Sequence, residues 1–468
     1  MQYSRRDFFC LVLLLTAYAV GLLRQIDEPW IRLHDWNGAF YSQLARNALR
    51  YPLDVHHGMP LIAVGAETPA EKRSIYATHP AGLVWIVAGS FTTLGEQEYT
   101  ARLTAIVASL IALACLYEIV RRWLGRPAAL LCGFIYLLIP MNVFFGRMVN
   151  HEPFCTAAML LAILLRQSLT DAKLTLSRRY LTAVAMAVVV LVCAAVDWPG
   201  FLFAGLLGVD LLIAWRRKRV TGGICATAVA TMAGLLFLVI LHIVYGGLDG
   251  SWKTLWAIFT SRSGAAEAAI TGSAWHHTVD NVTMVTLILA TAGLICVLAC
   301  RVFQGAKITL PQGGWAYLAT GALWLIVFWR QYRVHHYWLY YLGPCVALLA
   351  AVAVMQVREL GARFGRVVAN GSLIICLLLP IFASQRQCDA FFASVQIPPE
   401  FVEMWKHLRE TTPDGVRVKL PWDPIREETF GDYTFRNITP PQFAWYVDRP
   451  FEVVPAPAGA SAPPSRQD

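Results

Sequence analysis

Residues 32–51 read RLHDWNGAFYSQLARNALRY and follow a first apolar run that ends near Leu23. His34 and Asp35 open the stretch, and a regular pattern follows. Phe40, Tyr41, Leu44, Ala45, Ala48 and Leu49 are apolar, while Ser42, Gln43, Arg46, Asn47 and Arg50 fill the gaps. That spacing gathers each set on its own face of a helix. The pattern predicts a helix over 38–51 that lies along a membrane surface instead of crossing it. An aspartate is placed just before that helix, at the edge of the bilayer.

The remainder of the chain supplies the membrane context. The 468 residues are 57% hydrophobic and only 15% charged, and the mean hydropathy is +0.51. Soluble domains carry about 25% charged residues, so the composition excludes an ordinary soluble enzyme. It predicts an all-α polytopic membrane protein. The net charge of +9 comes with no basic helix or RNA-binding motif, which argues against a nucleic-acid partner. Most of the 11 cysteines sit inside apolar runs and read as small buried hydrophobes. Cys296 and Cys300 are four apart but have no His or Cys nearby in sequence.

A spanning helix needs about 20 residues to cross a core of about 30 Å. Twelve apolar runs are present, near 8–24, 80–94, 101–120, 127–146, 153–166, 180–197, 199–215, 221–245, 283–300, 314–329, 337–357 and 369–385. The run at 80–94 covers only about 22 Å as a helix and ends on Gly95, Glu96 and Glu98. Setting it in the interface leaves about eleven spans. The positive-inside rule is then met by Arg5 and Arg6, by Arg121, Arg122 and Arg126, by Arg216 to Arg219, and by Arg358, Arg363 and Arg366. The N-terminus is inside as an uncleaved first span. The outer side receives the loop 25–100, the turns at Asn150–Pro153 and Asp197–Pro199, and everything after about 386.

This gives a membrane domain over 1–386, with interfacial helices in its first outer loop at 25–100. A small α/β domain is expected over 387–454. Within it PPEFVEMWKHLRETTPDG reads as a helix stopped by Pro-Asp-Gly, and VRVKLPW and FAWYVDRPFEVV read as strands. The last residues, 455–468, have the composition of a disordered tail.

The polar residues that stand out gather on the outer side: Asp35, His79 before Pro80, Glu152 in NHEPF, His276-His277, and Arg330, Arg333, His335, His336 and Tyr337 in RQYRVHHYW. Acids and bases at that depth suit chemistry on a lipid headgroup whose tail stays in the membrane. Each residue also has a plainer reading. Asp35 would cap its helix, Glu152 would pair with Arg147, and His79 would only precede a helix-starting proline. Arg102, Arg330 and Arg333 would be interfacial anchors.

The order of these elements resembles a known group. Asp35 precedes YSQLARNALRY and THPAGLVW; an Arg-led span follows, ARLTAIVASLIALACLYEIVRRWLGRPAALLCGFIY, and then the acid-Pro pair in HEP. This is similar to the GT-C polyprenyl-phosphate-sugar glycosyltransferases, in particular the aminoarabinose transferase and protein O-mannosyltransferase group, glycosyltransferase family 39. The detailed resemblance covers about residues 20–170. It implies Asp35 as general base, with Glu152 on a second acidic position and His79-Pro80 on the His-Pro or Lys-Pro element. His335, His336, Tyr337 and Tyr340 would fall in the late segment that contacts lipid phosphate, beside Arg330 and Arg333. Trp36 stands where many members have Glu. The resemblance further implies a polyprenyl-phosphate sugar donor, a lipid, glycan or protein acceptor, and inversion at the anomeric carbon. The enzyme would sit among the lipids of a bacterial inner membrane with its active site facing the periplasm. It requires no nucleotide and leaves room for a divalent metal. Two other classes compete: a flippase or transporter, which would bind near the midplane and often carries inverted repeats, and a polysaccharide polymerase or ligase, which would favour a large outer loop late in the chain.

Overall fold

A computed structural model describes residues 4–171, 173–263, 270–304, 310–332, 334–420, 425–430, 433–438 and 441–455. The chain divides into two compact units. One comprises residues 1–25, 105–239 and 262–393, and the other residues 26–104, 240–261 and 394–468.

The first unit is built from long apolar helices. Its opening helix, Arg5–Leu22, starts on a capping box in which Ser4 Oγ accepts the Asp7 N–H and Asp7 Oδ2 accepts the Ser4 N–H. Among the described residues, six helices are long and apolar enough to cross a membrane alone: Glu98–Leu124, Leu176–Val196, Pro199–Arg216, Gly222–Gly247, His336–Ala362 and Arg366–Ala393. Two bent pairs raise the number to as many as eight. The expected eleven would also need Arg5–Leu22, His151–Ser168 and the short Gly314–Val327 to cross.

The bent pairs depart from the straight spans read in the sequence. The run 127–146 breaks by 75° between Arg126–Leu138 and Pro140–Arg147. Pro140 has no N–H to donate, and it holds Ile139 in the extended region (ψ 116°), which ends the first helix there. The second break, 90° between Ser273–Val282 and Met284–Cys300, falls at Thr283 with φ +71°. A β-branched residue in that region is strained, and the Thr283 hydroxyl offsets part of the strain by donating to Thr286 Oγ1 at 3.0 Å. Elsewhere in this unit helix packing is close. A Cβ placed on Gly293 of Met284–Gln304 would lie 1.9 Å from the carbonyl oxygen of Leu349 in Gly343–Ala362. Only glycine lets these two backbones meet.

The second unit is organised around the helix Asp35–Arg50. The period read from the sequence is confirmed, but its polar face meets protein and not headgroups. Every residue from Asn37 to Ala48 is buried. Gln43 Nε2 donates to the Ala63 carbonyl at 3.1 Å, and Asn47 Nδ2 donates to those of Leu61 and Ala63 at 2.9 and 3.0 Å. These amides satisfy carbonyls in and just after the short strand Leu61–Ile62, which pairs antiparallel with Ser74–Ile75. Arg46 Nε donates to Glu96 Oε2 at 2.7 Å, its Nη1 donates to the Trp445 carbonyl at 3.0 Å, and its guanidinium lies 3.8 Å over the Trp445 ring. The helix Gly82–Leu94 packs on the same element. Its 13 residues make it shorter than the spans, as the sequence suggested.

The tail after Ser394 is part of this unit. It begins by pairing with the first loop: Arg32 bridges Val395, and the Gln396 N–H donates to the Ile31 carbonyl at 2.7 Å. The expected helix is Pro399–Thr411, and the expected first strand, Val418–Leu420, pairs in parallel with Phe451–Val453. Between them Ile425–Phe430 and Tyr433–Ile438 form an antiparallel ladder that the sequence reading did not contain. FAWYV was read as strand and is instead the helix Pro441–Val447. Pro441 presets its first turn, and burial of Phe443, Trp445, Tyr446 and Val447 outweighs their strand preference. Asp448, at φ +42°, follows this helix. It takes both terminal nitrogens of Arg50 at 2.8 and 2.7 Å, with Arg46 at 3.4 Å and Arg409 at 3.6 Å. The expected disordered stretch lies outside the described residues, apart from Pro455.

Two substitutions test this packing. Gly293→Ala is expected to lower stability by about 1–3 kcal/mol through overpacking, read as a lower melting temperature in detergent. Gly205→Ala, where a Cβ has open space, should leave it unchanged. The Asp448 carboxyl is pushed up by burial, but the Arg50 hydrogen bonds and the charges of Arg46, Arg50 and Arg409 outweigh this and hold it below the usual range. Its contribution is therefore complete at neutral pH and is lost only as pH falls through that lowered value, below about 3.9. Asp448→Asn should destabilise the second unit by roughly 2–3 kcal/mol at pH 7, less than a fully buried pair because Arg50 is partly exposed. Limited proteolysis of the 394–455 segment would show it, and unchanged protection would contradict the assignment.

Candidate active site

In the second unit, Asp35 is fixed by one oxygen. Its Oδ2 accepts the N–H groups of Ile31 at 3.2 Å and Arg32 at 2.9 Å, and Arg102 Nη2 at 3.5 Å. Oδ1 makes no hydrogen bond among the described residues, and 15% of the side chain remains exposed. His34, at φ +60°, carries the chain into the helix without a side-chain cap. Asp35 thus closes the turn behind it, holding one oxygen still and leaving the other open. A Cβ on Gly38 would strike the Trp30 ring at 2.2 Å, so the missing side chain lets that indole pack under the first helical turn.

Arg102 holds this turn from beneath. It was read as an interfacial anchor, but it is only 1% exposed. Its Nη1 donates to the carbonyls of Ile26 and Glu28, its Nη2 to that of Pro29, and the guanidinium lies 4.1 Å over the Trp30 ring. Arg32 adds a bidentate pair with Glu28 at 2.6 and 2.9 Å. His79 lies in the same unit, half-buried, with its ring stacked on Tyr76 at 6.0 Å.

In the first unit, Glu152 and Asp197 form a second acidic group. Glu152 lies in the first turn of His151–Ser168, is 1% exposed, and its Oε2 has no hydrogen-bond partner among the described residues. Asp197 stands between Leu176–Val196 and Pro199–Arg216, also buried, and its Oδ1 accepts the Trp198 N–H at 2.8 Å. Burial pushes the Asp197 carboxyl up; the His151 charge, the Trp198 N–H and the Arg262 charge pull the other way. His151 and Asp197 place ligand atoms within 4.8 Å of one another. An imidazole and a carboxylate this close together are two donors of the kind a divalent cation takes, and Glu152 adds negative charge near Asp197. In the sequence Asp197 reads only as the end of a span, and His151 carries no signal of its own. The acid-before-Pro signal at Asp197-Trp198-Pro199 parallels that at Glu152-Pro153.

The late segment of this unit separates into different environments. Arg330 is exposed and makes no ion pair among the described residues, while Arg333 lies outside them. His335 Nδ1 hydrogen-bonds the Tyr337 hydroxyl, and its ring stacks on Trp338 at 4.9 Å. His336 is buried with its ring parallel to that of His277 at 4.3 Å, which gives the His276-His277 pair a structural partner that spacing did not reveal. Tyr340, expected at the substrate, lies wholly in the core. Its hydroxyl meets Ser109 Oγ at 3.0 Å and receives Tyr136 OH at 3.4 Å. Ser109 donates to the Gly146 carbonyl at 2.6 Å, and Tyr18 donates to that of Asn142 at 2.7 Å. These hydroxyls grip the bent segment that leads into His151 and Glu152.

The family model for dolichyl-phosphate-mannose-protein mannosyltransferases matches residues 78–193, a stretch that contains His79, Arg102 and Glu152. No curated protein matches the chain by sequence. Among solved structures, ArnT from Cupriavidus metallidurans bound to undecaprenyl phosphate is similar over 94% of this chain and 85% of its own, at 12% identity and a TM-score of 0.64. The archaeal oligosaccharyltransferase AglB from Archaeoglobus fulgidus, in complex with an inhibitory peptide and a dolichol-phosphate, is similar over 88% of this chain and 59% of its own, at 13% identity and a TM-score of 0.57. The Archaeoglobus fulgidus oligosaccharyltransferase in complex with Zn and sulfate is similar over 86% of this chain and 56% of its own, at 13% identity and a TM-score of 0.53. The chain is a multi-pass membrane protein with the GT-C fold, and its residues 78–193 match the model of that mannosyltransferase family.

Proposed function

We propose that the protein is a glycosyltransferase that moves a sugar from a polyprenyl-phosphate donor to a lipid, glycan or protein acceptor. It would work on the periplasmic face of a bacterial inner membrane. The observation that carries this reading is the likeness, over 94% of the chain, to a structure that holds undecaprenyl phosphate.

The acceptor hydroxyl gives its proton to Asp35 Oδ1, the oxygen left open in the turn. Its oxygen attacks the anomeric carbon from the face opposite the phosphate. The bond from that carbon to the phosphate oxygen breaks, its electron pair stays on the phosphate, and the configuration inverts. The leaving group needs cations more than it needs a general acid. The exposed Arg330, with Arg333, His335, His336 and Tyr337 from the same segment, would donate to it. His79 would position donor or acceptor beside the first loop. A divalent cation fits the His151–Asp197 pair with Glu152 beside it, and would screen negative charge on the phosphate. Tyr340 would act through the bent segment and not through substrate.

Asp35→Asn keeps a side-chain oxygen to accept the Ile31 and Arg32 N–H groups, so the turn should survive. General-base assistance amounts to about 10²–10⁴-fold in rate, and the substitution should remove it. The assay is sugar transfer from a polyprenyl-phosphate donor in nanodiscs, with melting temperature measured in parallel. Arg330→Ala should instead raise the KM for donor or lower kcat, with the fold intact. Near wild-type turnover by Asp35→Asn would leave Asp35 as a turn-closing residue only.

A further inference from the structure

We infer that the first unit binds the phosphate of an anionic phospholipid at the N-terminal end of Arg5–Leu22, in a cleft of about 410 Å³ lined by Arg5, Arg6, Phe9, Cys10 and Arg126. Arg5, Arg6 and Arg126 all line this space, and none of them makes an ion pair among the described residues. One acid lies nearby: Asp7 binds the N–H and hydroxyl of Ser4 through Oδ2 and feels the charge of Arg126, and it is outnumbered by the three arginines. The neighbouring Arg121 and Arg122 are already occupied by Glu118, at 2.7 and 2.6 Å. The cleft therefore carries excess positive charge contributed by two separate helices, Arg5–Leu22 and Arg126–Leu138.

The apolar side of the cleft selects among anions. Phe9 is 68% exposed, and Leu13 and Val20 on the same face of the helix are 59% and 70% exposed. Offsets of four and eleven residues keep the three within about 40° of one another around the axis. An uncovered apolar stripe thus leads directly away from the basic cleft. A phosphate seated among the arginines would have an acyl chain running along that stripe, an arrangement that a free phosphate cannot use. Basic pockets between spanning helices on the cytoplasmic side recognise anionic headgroups in this way. The inference rests on the topology that puts Arg5, Arg6 and Arg126 inside. The cleft lies at the opposite end of Arg126–Leu138 from the bent segment that leads to Glu152, so it is separate from the proposed chemistry.

The test is native mass spectrometry of the full-length protein in detergent, titrated with phosphatidylglycerol or phosphatidylcholine. Wild type should retain phosphatidylglycerol preferentially. Each arginine near an anionic surface contributes about fivefold in binding, so R126Q should weaken retention about fivefold and R5Q/R6Q/R126Q at least tenfold. R126Q alone leaves the N-terminal orientation signal intact. R216Q/R217Q/R219Q, in an exposed basic cluster elsewhere, should retain the lipid. The inference is overturned if the lining variants bind like wild type, if the control cluster weakens binding equally, or if millimolar inorganic phosphate displaces the lipid, which would mark a free-phosphate site. Retention is read from mass and not from sugar transfer, so it stands or falls independently of the proposed activity.

Discussion

A guanidinium taken out of water must find partners for its charge and its five donors, and much of this structure is arranged to supply them. Among the described residues the most deeply buried arginines are Arg46, Arg102 and Arg166, each with about 2% of its side chain exposed. Arg102 meets the carbonyls of Ile26, Glu28 and Pro29 in the first loop, the Trp30 ring and Asp35. Arg46 draws Glu96, Trp445 and Asp448 onto the helix Asp35–Arg50. In the other unit, Arg166 Nε meets Asp210 Oδ2 at 2.7 Å and its Nη1 meets Gln312, while Trp315 donates to the second Asp210 oxygen at 2.8 Å. Replacing either partner of such a pair leaves a buried charge without compensation, which costs more than the pair contributes as a whole.

The same constraint fixes Asp35, the proposed general base. A carboxylate on a free loop would be mobile, and a carboxylate with both oxygens engaged would be inert. Here two backbone N–H groups and Arg102 hold one oxygen, and the other is left open. Preorganisation of that kind lets a base act without first being ordered. The bent segment before His151 follows the same logic with neutral groups. The Tyr136 carbonyl, freed by the break at Pro140, takes Asn142 Nδ2 at 2.8 Å, and Tyr18 and Ser109 take the Asn142 and Gly146 carbonyls further on, so the acid that follows starts from a fixed point.

Much of the architecture was legible in the sequence because periodicity and length are local signals. The helix after Asp35, the apolar spans, the shortness of the run at 80–94 and the helix after Pro398 follow from spacing alone. What spacing could not show was what each face would meet. Arg46 and Asp448 lie 402 positions apart, so the polar stripe of the first-loop helix reads in the sequence as a face turned to lipid headgroups. The tail read as an independent domain for the same reason. Tyr340 has the composition of an interfacial or substrate-facing residue, and only the hydroxyls of Ser109 and Tyr136 around it show that it is core. Asp35, Glu152 and His79 were visible as polar residues at unusual depth. Asp197 and His151 were hidden by their role as helix punctuation. Pro140 was in plain view inside an apolar run, but hydropathy does not register the missing N–H that bends it.

The proposed activity is sugar transfer from a lipid-linked donor. Its most direct test is mass spectrometry of envelope lipids and glycans from cells with and without the gene. The expected result is one species lighter by a single sugar when the gene is absent, with its polyprenyl-phosphate sugar accumulating, and both restored by the wild-type gene. Identical lipid, glycan and polyprenyl-linked profiles in the two strains, under conditions where the protein is made, would contradict it.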